Sequence, residues 1–217
     1  QELRQVRSEQ LKELEELAVP EHPMHAIYVH KILKQYLHAD DFLTFEGGDF
    51  CHFGRAYLPA NSPRTWHYFS ALGMLGAGLS TAIAAKLAYP NRKAISLTGD
   101  GSFGFNGMEF DTAVRHGINV VSILGNDAAW GIDRQIQLKV YGKPVATDLL
   151  PTRYDKVVDA LGGYGEHVDD PDELGAAIKR AVEAGKPALL NVDIQRAISP
   201  RAEAAISRWT TTSYQPF

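Results

Sequence analysis

The chain has 217 residues, 45% hydrophobic and 22% charged, enough for one substantial core with appendages. A formal charge of −4 with no Lys/Arg cluster excludes a nucleic-acid surface, and no apolar stretch reaches the length of a membrane span. The single cysteine, Cys51, excludes an intrachain disulfide framework and any multi-cysteine zinc or iron–sulfur site; with no charged-then-apolar leader, a reducing, cytoplasmic setting is expected.

Along the chain, Glu2 to Leu17 carries Leu3, Leu11, Leu14 and Leu17 among charged residues, a helical period with a narrow apolar stripe. It reads as a linker helix packed on something outside the chain, ended by Pro20 and Pro23. His25 to Leu37 repeats a helical pattern, and Phe42 to Phe45 is a short buried strand leading into the loop Glu46-Gly47-Gly48. A small-residue helix, Ser80 to Ala88, follows the glycines after Gly73. Next come a strand Ala94 to Thr98, a helix Gly107 to Arg115 and a strand Val120 to Leu124. A helix from Tyr154 to Gly162-Gly163 precedes Asp170-Pro171-Asp172-Glu173, whose acids suit the positive end of a helix Leu174 to Ala184. Ala188 to Ile194 is the last strand. Strands alternating with helices across short turns predict an α/β fold: a doubly wound, mostly parallel sheet with helices on both faces. The expected division is a linker over residues 1–24, a domain over 25–195 and a tail or lid over 196–217. A sequence that begins at Gln1 rather than methionine is expected to be part of a longer polypeptide.

Two strand ends carry the chemistry. Gly99-Asp100-Gly101-Ser102 closes one apolar run and Asn126 closes the next. Asp100 offers an anionic oxygen, Asn126 an amide oxygen and Ala128 a carbonyl, the hard donors that Mg²⁺ takes alongside phosphate oxygens. Glycines flanking Asp100 let the backbone approach a phosphate, and the helix opening after Ser102 turns its positive end the same way. In doubly wound sheets ligands gather at such carboxyl ends.

Gly99-Asp100-Gly101 answered by Asn126 resembles the GDG…N signature of thiamine-diphosphate-dependent enzymes, specifically their C-terminal diphosphate-binding domain. Ala71-Leu72-Gly73-Met74-Leu75-Gly76-Ala77-Gly78-Leu79 is similar to a second family segment, and the likeness runs from about Ile27 to Ile194. It is strongest to the acetolactate synthase, oxalyl-CoA decarboxylase and 2-hydroxyacyl-CoA lyase branch.

The resemblance implies that Asp100, Asn126 and Ala128 hold Mg²⁺ on the cofactor diphosphate, with Gly48, Gly99, Gly101, Ser102 and Trp130 around it. It also implies that Gly73 accepts a hydrogen bond from the aminopyrimidine while Leu75 wedges the cofactor into its bent form. The activity implied is thiamine-diphosphate- and Mg²⁺-dependent cleavage or formation of a C–C bond, of 2-hydroxyacyl-CoA lyase type. The alternatives are an acetolactate-type carboligase, a 2-oxo acid decarboxylase, or a non-catalytic assembly domain. The family's catalytic glutamate belongs to a pyrimidine-binding domain that does not fit in this length. It is expected from another segment or subunit, in a homo- or hetero-oligomer.

Several residues stay open at this level. Glu46 is expected to face the cofactor, and Glu109 to sit about a turn into the helix after the metal loop. Asp49 would repel a phosphate unless turned away or paired. His52 and His67 are candidates for approaching the substrate. The tail bears Arg196, Arg201, Arg208 and Trp209 and ends in Tyr214-Gln215-Pro216-Phe217. It reads either as a helix and strap packed on a neighbour or as a lid whose arginines meet the anionic end of an acyl-CoA. A nicotinamide-type Rossmann reading fails because Gly73-x-x-Gly76-x-Gly78 has the wrong order and no following acid, and a calcium loop from Asp100 lacks its alternating ligands.

Overall fold

The computed structural model describes residues 2–68 and 73–211, and the side chains of these except 209–211. The elements run α1 (Glu2–Glu16), α2 (Ala26–Lys34), β1 (Phe42–Glu46), α3 (Gly48–Tyr57), β2 (Trp66–Tyr68), α4 (Ala77–Ala88), β3 (Ala94–Gly99) and α5 (Asp100–Asn106). They continue with α6 (Glu109–Arg115), β4 (Val121–Asn126), α7 (Gly131–Tyr141), α8 (Tyr154–Ala160), β5 (Tyr164–Val168), α9 (Leu174–Glu183), β6 (Ala188–Asp193) and α10 (Pro200–Thr211).

The strands form one sheet in the order β2-β1-β3-β4-β6-β5, with every described pairing parallel. Parallel strands buried on both faces need helices on both. Leu43, Phe45, Ile95, Leu97, Ile123 and Leu190 point into a core with α2, α3 and α9. Phe42, Ala94, Leu124 and Leu189 point the other way, into a core with α4, α5, α6 and α8. The chain leaves β1 towards one edge and β3 towards the other. The strand order therefore reverses between β1 and β3, where such sheets open a crevice at the carboxyl ends.

Several predicted elements change in extent. β3 and β4 run on to Gly99 and Asn126, so both motif residues sit at strand tips. α2 starts at Ala26 because the His25 imidazole Nδ1 accepts from the Ile27 amide at 3.1 Å and caps the helix. The helix expected over Gly107–Arg115 is α6, which starts at Glu109, and a separate α5 (Asp100–Asn106) precedes it, the two parting at Gly107. A β-carbon at Gly107 would fall 2.5 Å from the Phe103 ring, so only glycine lets these helices meet. The loop expected after Glu46 is shortened to Gly47, in a left-handed conformation at φ 69°, from which α3 departs.

The linker helix is corrected too. Its first turn is exposed, with Leu3 85% exposed, but Leu14 is buried in the chain's own core. Glu15 accepts from the Tyr57 hydroxyl and pairs with Lys31 at 2.8 Å. The C-terminal half of α1 is therefore held by α2 and α3 of this same chain.

His30 sits at the centre of the α2–α3 packing, fully buried, its Nε2–H donating to the Phe50 carbonyl at 2.9 Å. Burial holds the imidazole at about 4. The folded pKa lies below the unfolded one, so acid protonates the unfolded chain first. Stability is therefore lost as pH falls from about 6.5 towards 4, by about 3 kcal/mol from this residue. Urea unfolding of the wild type and His30→Gln across that window is expected to show a shallower pH dependence in the variant.

Candidate functional site

A cavity of about 350 Å³ lies where the carboxyl ends of β1, β3 and β4 meet the segment after β6. Its lining includes Gly48, Gly73, Leu75, Gly99, Asp100, Gly101, Ser102 and Trp130 of the residues singled out from the sequence. Gly48 and Gly73 both have positive φ, at 47° and 56°, and a β-carbon on either would meet nothing within 4 Å, so bare backbone borders the open space. Ser102 is buried against Gly47, where an added β-carbon would lie 1.5 Å from its Oγ. Trp130 packs over Gly101 and meets the Phe105 ring edge-on at 5.8 Å. Of the predicted cofactor segment, Ala71 and Leu72 lie outside the described residues.

Asp100 opens α5 and is 2% exposed. One carboxylate oxygen accepts from the Gly101 amide at 2.9 Å, the other from the Ala129 amide at 3.2 Å. The Asn126 Oδ1 accepts from the Ala128 amide at 3.2 Å. Consecutive amides of one loop thus carry the Asp100 carboxylate and the Asn126 amide oxygen, and the two strand tips meet.

The details depart from the sequence reading in two ways. Asn126 does not line the cavity, because its Nδ2 donates to the Thr152 carbonyl at 3.0 Å and to Asn191 Oδ1 at 3.1 Å. The Ala128 carbonyl is also turned away. It accepts from the Leu149 amide at 2.8 Å and the Arg196 guanidinium at 2.7 Å, which occupies both of its lone pairs. Ala128 holds this direction through a left-handed conformation, φ 52°.

The residue that enters the cavity from the β4 tip is Asp127, which the sequence reading passed over. Burial raises the pKa of Asp127, the Asp100 charge raises it further, and Arg196 opposes both. Asp100 is raised as well, by burial, with hydrogen bonds from backbone amides and from Asp127 opposing. Two carboxyl groups share one buried space, and the Asp100 charge makes ionisation of Asp127 harder. The signal for Asp127 was a second acid directly after the strand-ending Asn126.

The donor set is all oxygen, which suits a hard cation. Among the described residues no cluster of three or more His, Cys, Asp or Glu could hold a metal alone. A cation here would take one or two carboxylates and complete its shell from a ligand, the usual arrangement for Mg²⁺.

Other candidates are placed elsewhere. Glu46 does not face the cavity; its carboxylate accepts from the Gly76 and Gly78 amides and ties β1 to the start of α4. Burial raises its pKa against those two bonds. Glu109 is the first residue of α6 and does not line the cavity. Asp49 lines the cavity but is paired, accepting from the Ser199 amide at 2.8 Å. His67 stacks on Phe42 at 4.5 Å and bonds the Arg64 carbonyl, and His52 borders a different cavity.

The tail is also revised. α10 packs on α3 and α7 of its own chain through Ala202 and Ile206. Arg196 is committed to the Asp127 and Ala128 carbonyls and to Asp148. Residues 212–217, including Tyr214 to Phe217, and the Trp209 side chain lie outside the described part.

A family model, thiamine pyrophosphate enzyme, C-terminal TPP binding domain, matches residues 46–192. A probable acetolactate synthase of Mycobacterium bovis is 43% identical over 171 residues, 78% of this chain and 31% of that protein. A 2-hydroxyacyl-CoA lyase 2 of Bos taurus is 32% identical over 204 residues, 90% of this chain and 32% of that protein. The chain thus spans about a third of the length of these relatives. In fold it is similar to a benzoylformate decarboxylase from Polynucleobacter necessarius, with TM-score 0.71 at 24% identity over 79% of this chain and 33% of that one.

Glu46 provides a structural test. Glutamine in its place keeps one acceptor but sets an amide donor against the second backbone N–H, so Glu46→Gln is expected to cost about 1–3 kcal/mol. The urea midpoint measures this, and an unchanged midpoint rules out the tie between β1 and α4.

Proposed function

The chain belongs to the thiamine pyrophosphate enzymes as their C-terminal TPP-binding domain, and on that premise we propose that it holds the Mg²⁺-bound diphosphate of thiamine diphosphate for an enzyme that breaks or makes C–C bonds next to a carbonyl. The observation that carries this reading is the meeting of Asp100 with the loop after Asn126, beside Asp127, in a cavity at the sheet's reversal point. When bound, the cofactor supplies a carbon nucleophile for the substrate carbonyl.

The chain's own residues bind and orient. Asp100 and Asp127 would neutralise the cation, and Asn126 and the Ala128 amide would keep the loop in register with Asp100. Gly48, Gly99, Gly101 and Ser102 would border the phosphates, where bare backbone and one hydroxyl leave room and donors. Leu75 and Trp130 would exclude water and fix the cofactor's shape, and the Gly73 carbonyl would orient the aminopyrimidine. The proton-donating glutamate would come from a pyrimidine-binding domain elsewhere in the protein or assembly, because the buried Glu46 is already bound to the Gly76 and Gly78 amides. In this reading residues 1–24 lead in from a preceding domain and 196–217 form the tail.

For the reaction itself, cleavage of a 2-hydroxyacyl-CoA is the first reading, supported by the lyase relative that aligns with 90% of the chain. An acetolactate-type carboligation is the second, supported by the 43% identity of the synthase relative. The commitment of Arg196 to loop carbonyls leaves one arginine fewer for a CoA-binding lid, which is the observation favouring the second. CoA-dependent turnover by the assembled enzyme would establish the lyase; CoA-independent turnover of pyruvate would establish the carboligase.

Asp100→Ala is expected to weaken Mg²⁺-dependent thiamine diphosphate binding at least 100-fold by calorimetry, and unchanged affinity would overturn the assignment. Leu75→Ala is expected to leave metal affinity intact while slowing proton exchange at the reactive carbon in the assembled enzyme. An unaltered exchange rate would place the wedge elsewhere.

A further inference from the structure

A second cavity, of about 560 Å³, opens between α1, α3 and the start of α10 and shares no lining residue with the first. Its charged lining is Arg7 and Glu13 from α1, His52 and Arg55 from α3, and Arg201 from α10. Three guanidinium groups from three separate helices are thus balanced by one carboxylate. Among the described residues none of the three arginines has an ion-pair partner.

Arg55 makes the imbalance specific. Its guanidinium is stacked 3.4 Å from the Tyr68 ring centroid and 5.7 Å from that of Trp66, and donates to His52 Nδ1 at 3.2 Å. Its Nε is buried and has no hydrogen-bond partner. His52 gives no compensation, because burial and the charges of Arg55 and Arg201 hold it neutral. Like charges gathered on the lining of one cavity repel unless an anion joins them. A carboxylate presents two oxygens, which a single arginine fork saturates. Arginine forks supplied by three helices match instead the three free oxygens of a phosphoryl group.

We propose that the cavity between α1, α3 and α10 is a binding site for the phosphoryl group of a phosphorylated small molecule, held by Arg7, Arg55 and Arg201. The site stands whether or not the first cavity binds thiamine diphosphate.

The test is histidine-detected NMR of the chain titrated with sodium pyrophosphate in EDTA, which silences metal-dependent binding in the first cavity. The His52 imidazole resonance, assigned from a His52→Gln sample, is expected to shift saturably. Arg55→Gln is expected to weaken the apparent affinity at least tenfold. Arg201→Gln, at an exposed position where folding is not at risk, is expected to do the same. Absence of a saturable His52 shift, an equal shift with sodium chloride at matched ionic strength, or full affinity in Arg201→Gln would each overturn the site.

Discussion

The carboxylate of Asp100 ties the tip of β3 to the loop that follows β4. Sheet hydrogen bonds align β3 and β4 only as far as Gly99 and Gly125. Beyond them, the Asp100 bond to the Ala129 amide and the Asn126 bond to the Ala128 amide fold the following loop back over the end of the sheet. That fold brings Asp127 in beside Asp100 and Trp130 down onto Gly101. Every other feature of the first cavity is built around this junction. Gly47 and Gly48 clear the space on the β1 side, and Leu75 lines it from the segment before α4.

The loop after Asn126 is also held from behind. Arg196 bonds the carbonyls of Asp127 and Ala128 and reaches Asp148, which Arg134 holds in turn. Asn126 is anchored through Asn191 to Asp155, and Asp155 to Arg153. These are mostly charge-assisted bonds around a backbone that contains a left-handed alanine, and such a conformation persists only where its surroundings over-determine it. The arginine that the sequence suggests as a lid residue is thus part of the frame of the strand-tip loop.

What was legible in the sequence follows periodicity and strand ends. The buried strands Ala94–Gly99 and Val121–Asn126 are mostly apolar, broken by the small polar Ser96, Thr98 and Ser122, and α9 has its buried residues on one face, so their placement agrees with the pattern to within a residue or two. α7 left no such trace because none of its residues is buried, and β5 was missed because it is an edge strand only partly covered. β2 is three residues long, too short for any alternation to register. In the site, residue types that border the cavity through backbone, such as Gly48 and Gly99, were readable from the motif. The direction of a carbonyl was not. The Ala128 carbonyl turns towards Arg196 and Leu149, and the Asn126 amide nitrogen towards Thr152 and Asn191, all far away in sequence, so nothing local specifies either choice.

Charge then decides the order in which a diphosphate could enter. Asp49, Asp100 and Asp127 all line the cavity, and Arg196 is the cation placed against the loop that carries Asp127. Carboxylates sharing surroundings less polar than water repel one another more strongly than in water, and phosphate oxygens would add to that repulsion. Protonating the acids relieves it only by discarding the donors a metal needs. A divalent cation relieves it without that loss, because it attracts the carboxylates and the phosphates together. Under the proposed function, metal and diphosphate must therefore bind as one linked event, and the raised pKa values of Asp100 and Asp127 reflect the burial that keeps both acids in that geometry.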